Sequence, residues 1–79
     1  MSAAEAQEAK NFLLQANDQY RQLAERHHEL DNRLHQLTER HYLSPDEQLE
    51  EVTIKKRKLA VKDEMERMAR EYATSTGHP

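Results

Sequence analysis

The sequence predicts an all-α fold, an antiparallel two-helix hairpin of the coiled-coil type that assembles into a four-helix bundle. One glycine and two prolines in 79 residues leave little material for turns. Apolar residues recur at heptad-like spacing in both halves of the chain, and a proline-containing helix start separates the halves. Only 5% of the residues are aromatic and 34% are charged, so one hairpin has too few large side chains for an ordinary globular core and is expected to self-associate.

The turn before Pro45 divides the chain. Proline lacks a backbone N–H and fits the first position of a helix, where that group has no partner. Ser44 precedes Pro45, and Glu47 follows three residues after Ser44, which is the spacing of a capping box. Because short connections join antiparallel neighbours, the second helix should fold back along the first.

The predicted domain covers residues 1–73. Helix one covers about residues 3–42, a stretch without proline or glycine, and helix two covers about residues 45–73. Asparagine and aspartate are poor in helix interiors and good at helix ends, so we expect a kink or a restart at residues 17–18 and a loosely packed N-terminal arm. Residues 74–79 have no periodicity and are predicted to form a disordered tail.

A seam of residues at alternating steps of three and four runs along both helices, from residue 13 to residue 41 on helix one. A single antiparallel register pairs the two seams, with Lys58 opposite Leu30. The same register sets the small Ala16 against the large Tyr72, which suits interdigitating layers. The predicted intramolecular seam consists of Tyr20, Leu23, His27, Leu30, Leu34, Ile54, Val61, Met65, Met68 and Tyr72.

A second apolar stripe, Leu49, Val52 and Leu59, lies roughly opposite the seam on helix two. Phe12 and Leu14 near the N-terminus have no assigned partner either. Burying a Leu or Val side chain is worth roughly 1.5–3 kcal/mol, so we predict that the stripe contacts a partner protein or a second copy, with a dimer favoured. The alternative is that scattered exposed apolar residues are normal on protein surfaces and carry no function.

Composition excludes several classes of function. The chain has no cysteine, so it has no disulfide and no thiolate metal site. Its net charge of −3 with mixed signs favours neither nucleic acid nor a membrane surface, and no apolar run approaches the roughly 20 residues that span a bilayer. Without an export signal, a glycine-rich phosphate loop or an expected pocket, we expect a cytoplasmic, non-catalytic protein without cofactor.

Three histidines of helix one are candidate site residues. His28 and His35 lie on one face with Asp31 between them, an arrangement that could in principle bind zinc. The spacing is not that of the HExxH motif and supplies at most three ligands, so we predict no metal site. His27 lies in the seam opposite Val61, where we favour a packing role and keep a pH switch as the alternative.

The run from Lys55 to Lys58 is the one dense group of basic residues. Such runs can bind phosphate backbones, and a nucleic-acid contact would use Lys55, Lys56, Arg57 and Lys62. Consecutive residues on a helix point in all directions, however, and no aromatic residue is interleaved for base stacking. We therefore favour a salt-bridged surface helix and regard nucleic-acid binding as the alternative function.

Two groups of residues resemble the pattern of the YdcH-like family over roughly residues 20–68. The matching residues are His27, Leu30, Asp31 and Leu34 on helix one and Lys55, Lys56, Lys58, Leu59, Lys62, Asp63, Glu64 and Met65 on helix two. Val61 stands where the family usually has leucine, and the turn has less glycine. The resemblance implies a soluble bacterial helical hairpin of unknown function and supplies no established functional residue, although it leaves open a binding role for the lysine groups. The favoured function is protein–protein interaction or self-assembly.

Overall fold

The computed structural model describes residues 2–75, and this part of the chain contains three α-helices and no strand. They are α1 (Ala3–Ala16), α2 (Asp18–Thr38) and α3 (Pro45–Ser75). The predicted all-α class is confirmed. Asn17 divides the predicted first helix into α1 and α2, at the place where a kink or a restart was expected, so residues 2–75 form three helices and not two.

Asn17 ends one helix and begins the next. Its backbone is extended, with φ −124° and ψ 113°, so the chain makes a complete break and not a kink. Its N–H donates to the carbonyl of Leu13 at 2.9 Å, and its side-chain oxygen accepts from the N–H of Tyr20 at 2.8 Å. An Asn side chain satisfies a free N–H at the start of α2 in the manner of an N-cap.

Arg21 holds the junction between α1 and α2. Its guanidinium donates to the carbonyls of Leu14 at 3.1 Å and Gln15 at 3.0 Å and pairs with Asp18 at 2.9 Å. The last carbonyls of a helix have no partner within that helix, so Arg21 satisfies groups that the break at Asn17 would otherwise leave to water.

The N-terminal arm packs closely, which corrects the expectation of a loose one. The core cluster consists of Ala9, Leu13, Tyr20 and Ala69, which are 2%, 5%, 1% and 1% exposed. Half-buried Met65, Met68 and Tyr72 pack against this cluster. The face of α1 that carries Ala9 and Leu13 therefore completes an apolar core with the N-terminal end of α2 and the C-terminal part of α3.

The predicted opposition of Ala16 and Tyr72 is wrong. Ala16 is exposed at the end of α1. Tyr72 instead stacks on Phe12, with ring centroids 4.6 Å apart and ring planes inclined by 19°. Because the chain breaks at Asn17, Ala16 does not continue the seam of α2, and α1 provides a ring for Tyr72.

Helix α2 ends at Thr38, four residues before the predicted end at residue 42. The N–H of Arg40 donates to the carbonyl of Leu37 at 3.2 Å, and residues 39–44 form the connection. Leu37 is completely buried at this end of the helix pair. Residues 39–42 are needed to reverse the chain direction, and His41, the last position of the predicted seam, is exposed.

The predicted capping box at the start of α3 is confirmed. The hydroxyl of Ser44 accepts from the N–H of Glu47 at 3.2 Å, and the carboxylate of Glu47 accepts from the N–H of Ser44 at 3.1 Å. This backbone hydrogen bond lowers the pKa of Glu47 more than the nearby Arg40 does. The two reciprocal bonds and the Arg40–Glu47 ion pair set where α3 begins.

Helix α3 runs through Ser75, two residues beyond the predicted end. Thr74, assigned to the predicted tail, is helical, and its hydroxyl donates to the carbonyl of Arg70 at 2.9 Å. Such a bond to the preceding turn is compatible with a continuing helix. The rest of the predicted tail, residues 76–79, lies outside the described residues.

The seam residues lie between the helices with different degrees of burial. Tyr20, Ile54 and Val61 are buried, and the other predicted seam residues are half-buried: Leu23, His27, Leu30, Leu34, Met65, Met68 and Tyr72. A pair of long helices encloses only a narrow strip between them. Much of the surface of each helix therefore stays accessible, and the largest apolar part of it lies on α3.

Candidate functional site

The three residues of the predicted partner surface lie exposed along α3. Leu49, Val52 and Leu59 are 67%, 49% and 59% exposed. Ile54 and Val61, which are buried, lie on the opposite side of the same helix. At 3.6 residues per turn, the three exposed side chains therefore form one stripe directed away from the core of their own chain.

Two polar residues complete this stripe. Both are exposed: Lys56 lies between Val52 and Leu59, and Asp63 follows Leu59. Successive members of the stripe are then three, four, three and four residues apart. This is the spacing of a coiled-coil seam. We call Leu49, Val52, Lys56, Leu59 and Asp63 the outer seam of α3.

Ion pairs between α2 and α3 hold the outer seam in its orientation. Arg33 binds the carboxylate of Glu50 with two hydrogen bonds of 2.9 and 2.7 Å, and the hydrogen bond from Arg33 lowers the pKa of Glu50. Lys58 pairs with Asp31 across the same interface, and this hydrogen bond lowers the pKa of Asp31. Two-point binding of a carboxylate by arginine restricts how the helices can rotate against each other.

Neither pair was predicted from the sequence. Lys58 was expected to face Leu30, but its long side chain carries the ammonium group to Asp31 at the rim of the seam. The only local signal was an acidic residue one position after Leu30. Arg33 lies one helical turn after the half-buried Leu30, and Glu50 lies one helical turn before the buried Ile54. This spacing indicates an ion pair only after the register of the two helices is known.

A shallow cavity of about 460 Å³ adjoins the outer seam near the turn. Its lining includes the apolar side chains of Leu30 and Leu49 and the basic side chains of Arg33 and Arg57. Leu49 therefore borders both the outer seam and the groove between α2 and α3, and its exposed surface is continuous with that groove.

The basic residues proposed for nucleic-acid contact do not form one surface. Lys55, Lys56, Arg57 and Lys62 are exposed, and Lys55 pairs with Glu51 at 3.7 Å. On the observed helix, Lys55 and Lys62 lie on one side, Lys56 on the outer seam, and Arg57 on a third side. A phosphate backbone following any one side would meet only one or two of these charges.

The histidines do not converge on a metal site. His35 lies 3.0 Å from the carboxylate of Glu39 on the exposed side of α2, and His28 is exposed. Between residues 2 and 75, no cluster of three or more His, Cys, Asp or Glu side chains has a geometry that could hold a metal ion. His27 is half-buried between the helices.

The described part of the chain has no membrane-spanning helix and no buried polar side-chain atom that lacks a partner. None of its three helices combines the length and the apolar character required to cross a bilayer. Across residues 2–75, each buried side-chain nitrogen or oxygen has a hydrogen-bond partner, so no orphaned polar group points to a missing ligand.

Comparison with known proteins places the chain in a family. Residues 21–69 match the family described as "Protein of unknown function (DUF465)". The matched segment contains nearly all of α2 and most of α3 and leaves α1 outside. No curated protein and no solved structure matches the chain. Because the match covers more than half of the sequence, the YdcH-like resemblance is confirmed, and the chain belongs to this family of unknown function.

Proposed function

We propose that the protein is a non-catalytic interaction module that self-associates through the outer seam of α3. The observation that carries the proposal is the exposure of Leu49, Val52 and Leu59, which are between 49% and 67% accessible on a face turned away from the core. A repeat with coiled-coil spacing on such a face favours another helix as its partner.

A second copy of α3 is the partner that fits this repeat. In an antiparallel pair of outer seams centred between Val52 and Lys56, Leu49 of one copy meets Leu59 of the other. Val52 then packs on the aliphatic part of Lys56, whose ammonium group reaches solvent. The polar residues Lys56 and Asp63 in this seam favour registers that leave their charged groups in solvent.

The resulting assembly differs in form from a closed four-helix bundle. Because the outer seam lies opposite the α2 side of α3, the two α3 helices would lie in the centre and the two α2 helices outside. The assembly still joins four long helices, but it has two intramolecular interfaces and one intermolecular interface in place of a shared central core.

The expected affinity is modest. The exposed fractions of Leu49, Val52 and Leu59 correspond to roughly 2.5–5 kcal/mol of hydrophobic stabilisation per copy, or about 5–10 kcal/mol for a symmetric pair. Association costs about 4–15 kcal/mol in lost translational and rotational freedom. We therefore infer a reversible dimer whose population depends on concentration. We further propose that the protein acts in the cytoplasm without a cofactor or a metal.

Sedimentation equilibrium tests the proposal. The wild-type mass should rise from one to two chains as the concentration increases from about 10 μM to about 1 mM, and Leu59→Glu should remain a monomer because it buries an unpaired charge. Leu14→Glu is the matched control, because Leu14 is 41% exposed on α1 and lies outside the outer seam. A monomeric wild type at the highest concentration, or an equal loss of dimer in Leu14→Glu, would contradict the proposal.

Nucleic-acid binding is the weaker candidate. The spread of Lys55, Lys56, Arg57 and Lys62 around α3 provides no continuous basic stripe. A duplex or single strand that fails to bind at about 50 mM salt, where counterion release is most favourable, would remove this candidate without affecting the proposed self-association.

A further inference from the structure

An open cleft lined by residues of all three helices carries a cluster of basic side chains that the outer seam does not use. Its volume is about 360 Å³, which lies within the range of small-molecule sites, about 300–1,000 Å³. The basic groups that line it come from separate parts of the chain: Lys10 of α1, His27 of α2, and Lys58 and Lys62 of α3. Lys10 joins the other three only because α1 docks on α2 and α3.

The positive charge in the cleft is only partly neutralised. Lys58 pairs with Asp31, and Glu66 lines the same cleft. Lys10 is half-buried and Lys62 is exposed, and within residues 2–75 neither ammonium group has a hydrogen bond or an ion pair. Ammonium groups that share a cleft repel one another, and a bound anion would relieve that repulsion.

One wall of the cleft is apolar. Tyr20 is 1% exposed and Met65 is half-buried, and both line the cleft beside the basic groups. The thioether of Met65 and the aliphatic stems of the lysines provide contact surface for an uncharged organic group, whereas the ring of Tyr20 is already buried in the core cluster. Charged nitrogens and an apolar side chain in the lining of one cleft suit a ligand with two chemically distinct ends.

We propose that this cleft binds a small organic phosphate, with the phosphate group held by Lys10, Lys62 and His27 and the organic group against Met65. Lysine is a compact point charge and a common phosphate ligand in proteins. Lys55, Lys56 and Arg57 lie outside the cleft, so a long polyanion would gain little beyond the one phosphate that enters.

NMR titration of the full chain with phenyl phosphate tests this assignment, with sodium chloride at equal ionic strength as the reference. Saturable shifts are expected at the side chains of Lys10, Lys62, His27 and Met65. Lys62→Gln and Lys10→Gln should each weaken binding by roughly three- to tenfold, because each removes one charge-assisted hydrogen bond. Inorganic phosphate should bind more weakly than phenyl phosphate, because it leaves the apolar wall unused.

Lys55→Gln is the matched control. It changes an exposed lysine of the same helix, two turns from Lys62 and outside the cleft, and should leave the affinity within about twofold. Shifts that sodium chloride reproduces, or an equal loss in Lys55→Gln, would overturn the site, and equal affinities for the two phosphates would overturn the role of the apolar wall. Leu59→Glu should bind as the wild type does, so this test stands apart from that of self-association.

Discussion

The docking of α1 depends on Asn17 and Leu13, and substituting both should release α1 from the other two helices. Asn17→Ala removes the side-chain acceptor for the Tyr20 N–H, and loss of an N-cap costs about 1 kcal/mol. The same change replaces a poor helix former by the best one, which favours a continuous helix from α1 into α2 by roughly 0.5 kcal/mol.

The docked arrangement is stabilised by more than this amount. Leu13 is only 5% exposed, and burying a leucine is worth about 1.5–3 kcal/mol. The stacking of Phe12 on Tyr72 adds about 0.5–1.5 kcal/mol. In Asn17→Ala alone, α1 should therefore stay docked, with the free energy of unfolding lower by about 1 kcal/mol. Adding Leu13→Ala destabilises the docked form by about 2–5 kcal/mol more.

Small-angle X-ray scattering measures the outcome directly. The molecule is 53 Å long. The 14 residues of α1 span about 20 Å at 1.5 Å per residue, and because α3 already extends past the start of α2, straightening α1 onto α2 would lengthen the molecule by about 15 Å. The double variant should lengthen by this amount and keep its helical circular dichroism. Leu14→Ala, an equal truncation at an exposed neighbour, should not lengthen, and measurement at low micromolar concentration keeps the chains monomeric.

Two results would refute this reasoning. A double variant with the wild-type dimension would show that contacts other than those of Leu13 and Asn17 hold α1. A double variant that loses helical signal in proportion to α1 would show that the segment unfolds when released, so that its helicity depends on docking and not on its own alanine-rich sequence.

The capping box and the Arg33–Glu50 pair give two further predictions. Ser44→Ala should lower the free energy of unfolding by about 1 kcal/mol in urea titrations, because the N–H of Glu47 loses its acceptor, and an unchanged midpoint would argue against the cap. The hydrogen bond from Arg33 lowers the pKa of Glu50 in the folded state, so the unfolded state binds this proton more tightly. The stability from this pair is therefore complete above the ordinary carboxyl pKa of about 4.3 and is lost as the pH falls through the folded value. Glu50→Gln should reduce the drop in urea midpoint between about pH 7 and pH 3, whereas Glu29→Gln, on the exposed side of α2, should leave it unchanged; equal slopes in the two variants would contradict this.

The turn before α3 could be predicted because its signals are local. Ser44, Pro45 and Glu47 act within a single helical turn, and the observed bonds between Ser44 and Glu47 are those that the spacing requires. The end of α2 was predicted at residue 42, four residues beyond its observed end at Thr38. The end depends on how the chain reverses, and Leu37, buried one residue before Thr38, is the last residue of α2 that packs in the core.

The break at Asn17 illustrates an intermediate case. Its location was predictable, because asparagine and aspartate both favour helix ends. Whether the chain would kink or stop was not predictable, since the outcome depends on Arg21 binding the last carbonyls of α1 and on the burial of Leu13 against α3. The same applies to the candidate sites: the exposed stripe followed from periodicity, whereas the basic cleft required α1 to be placed.

Helical content and the place of the turn follow from short-range chemistry, in which propensities, caps and a proline act within a few residues of one another. The position of α1, the Phe12–Tyr72 stack and the gathering of Lys10 with Lys62 in one cleft were decided by tertiary packing. Those residues are distant in the chain, and they meet only because α2 and α3 leave an apolar surface at Tyr20 and Ala69 that α1 covers. Local preferences carry no information about which apolar surface of α2 and α3 remains to be covered. The position of α1 and the contacts that depend on it can therefore be read only from the tertiary structure.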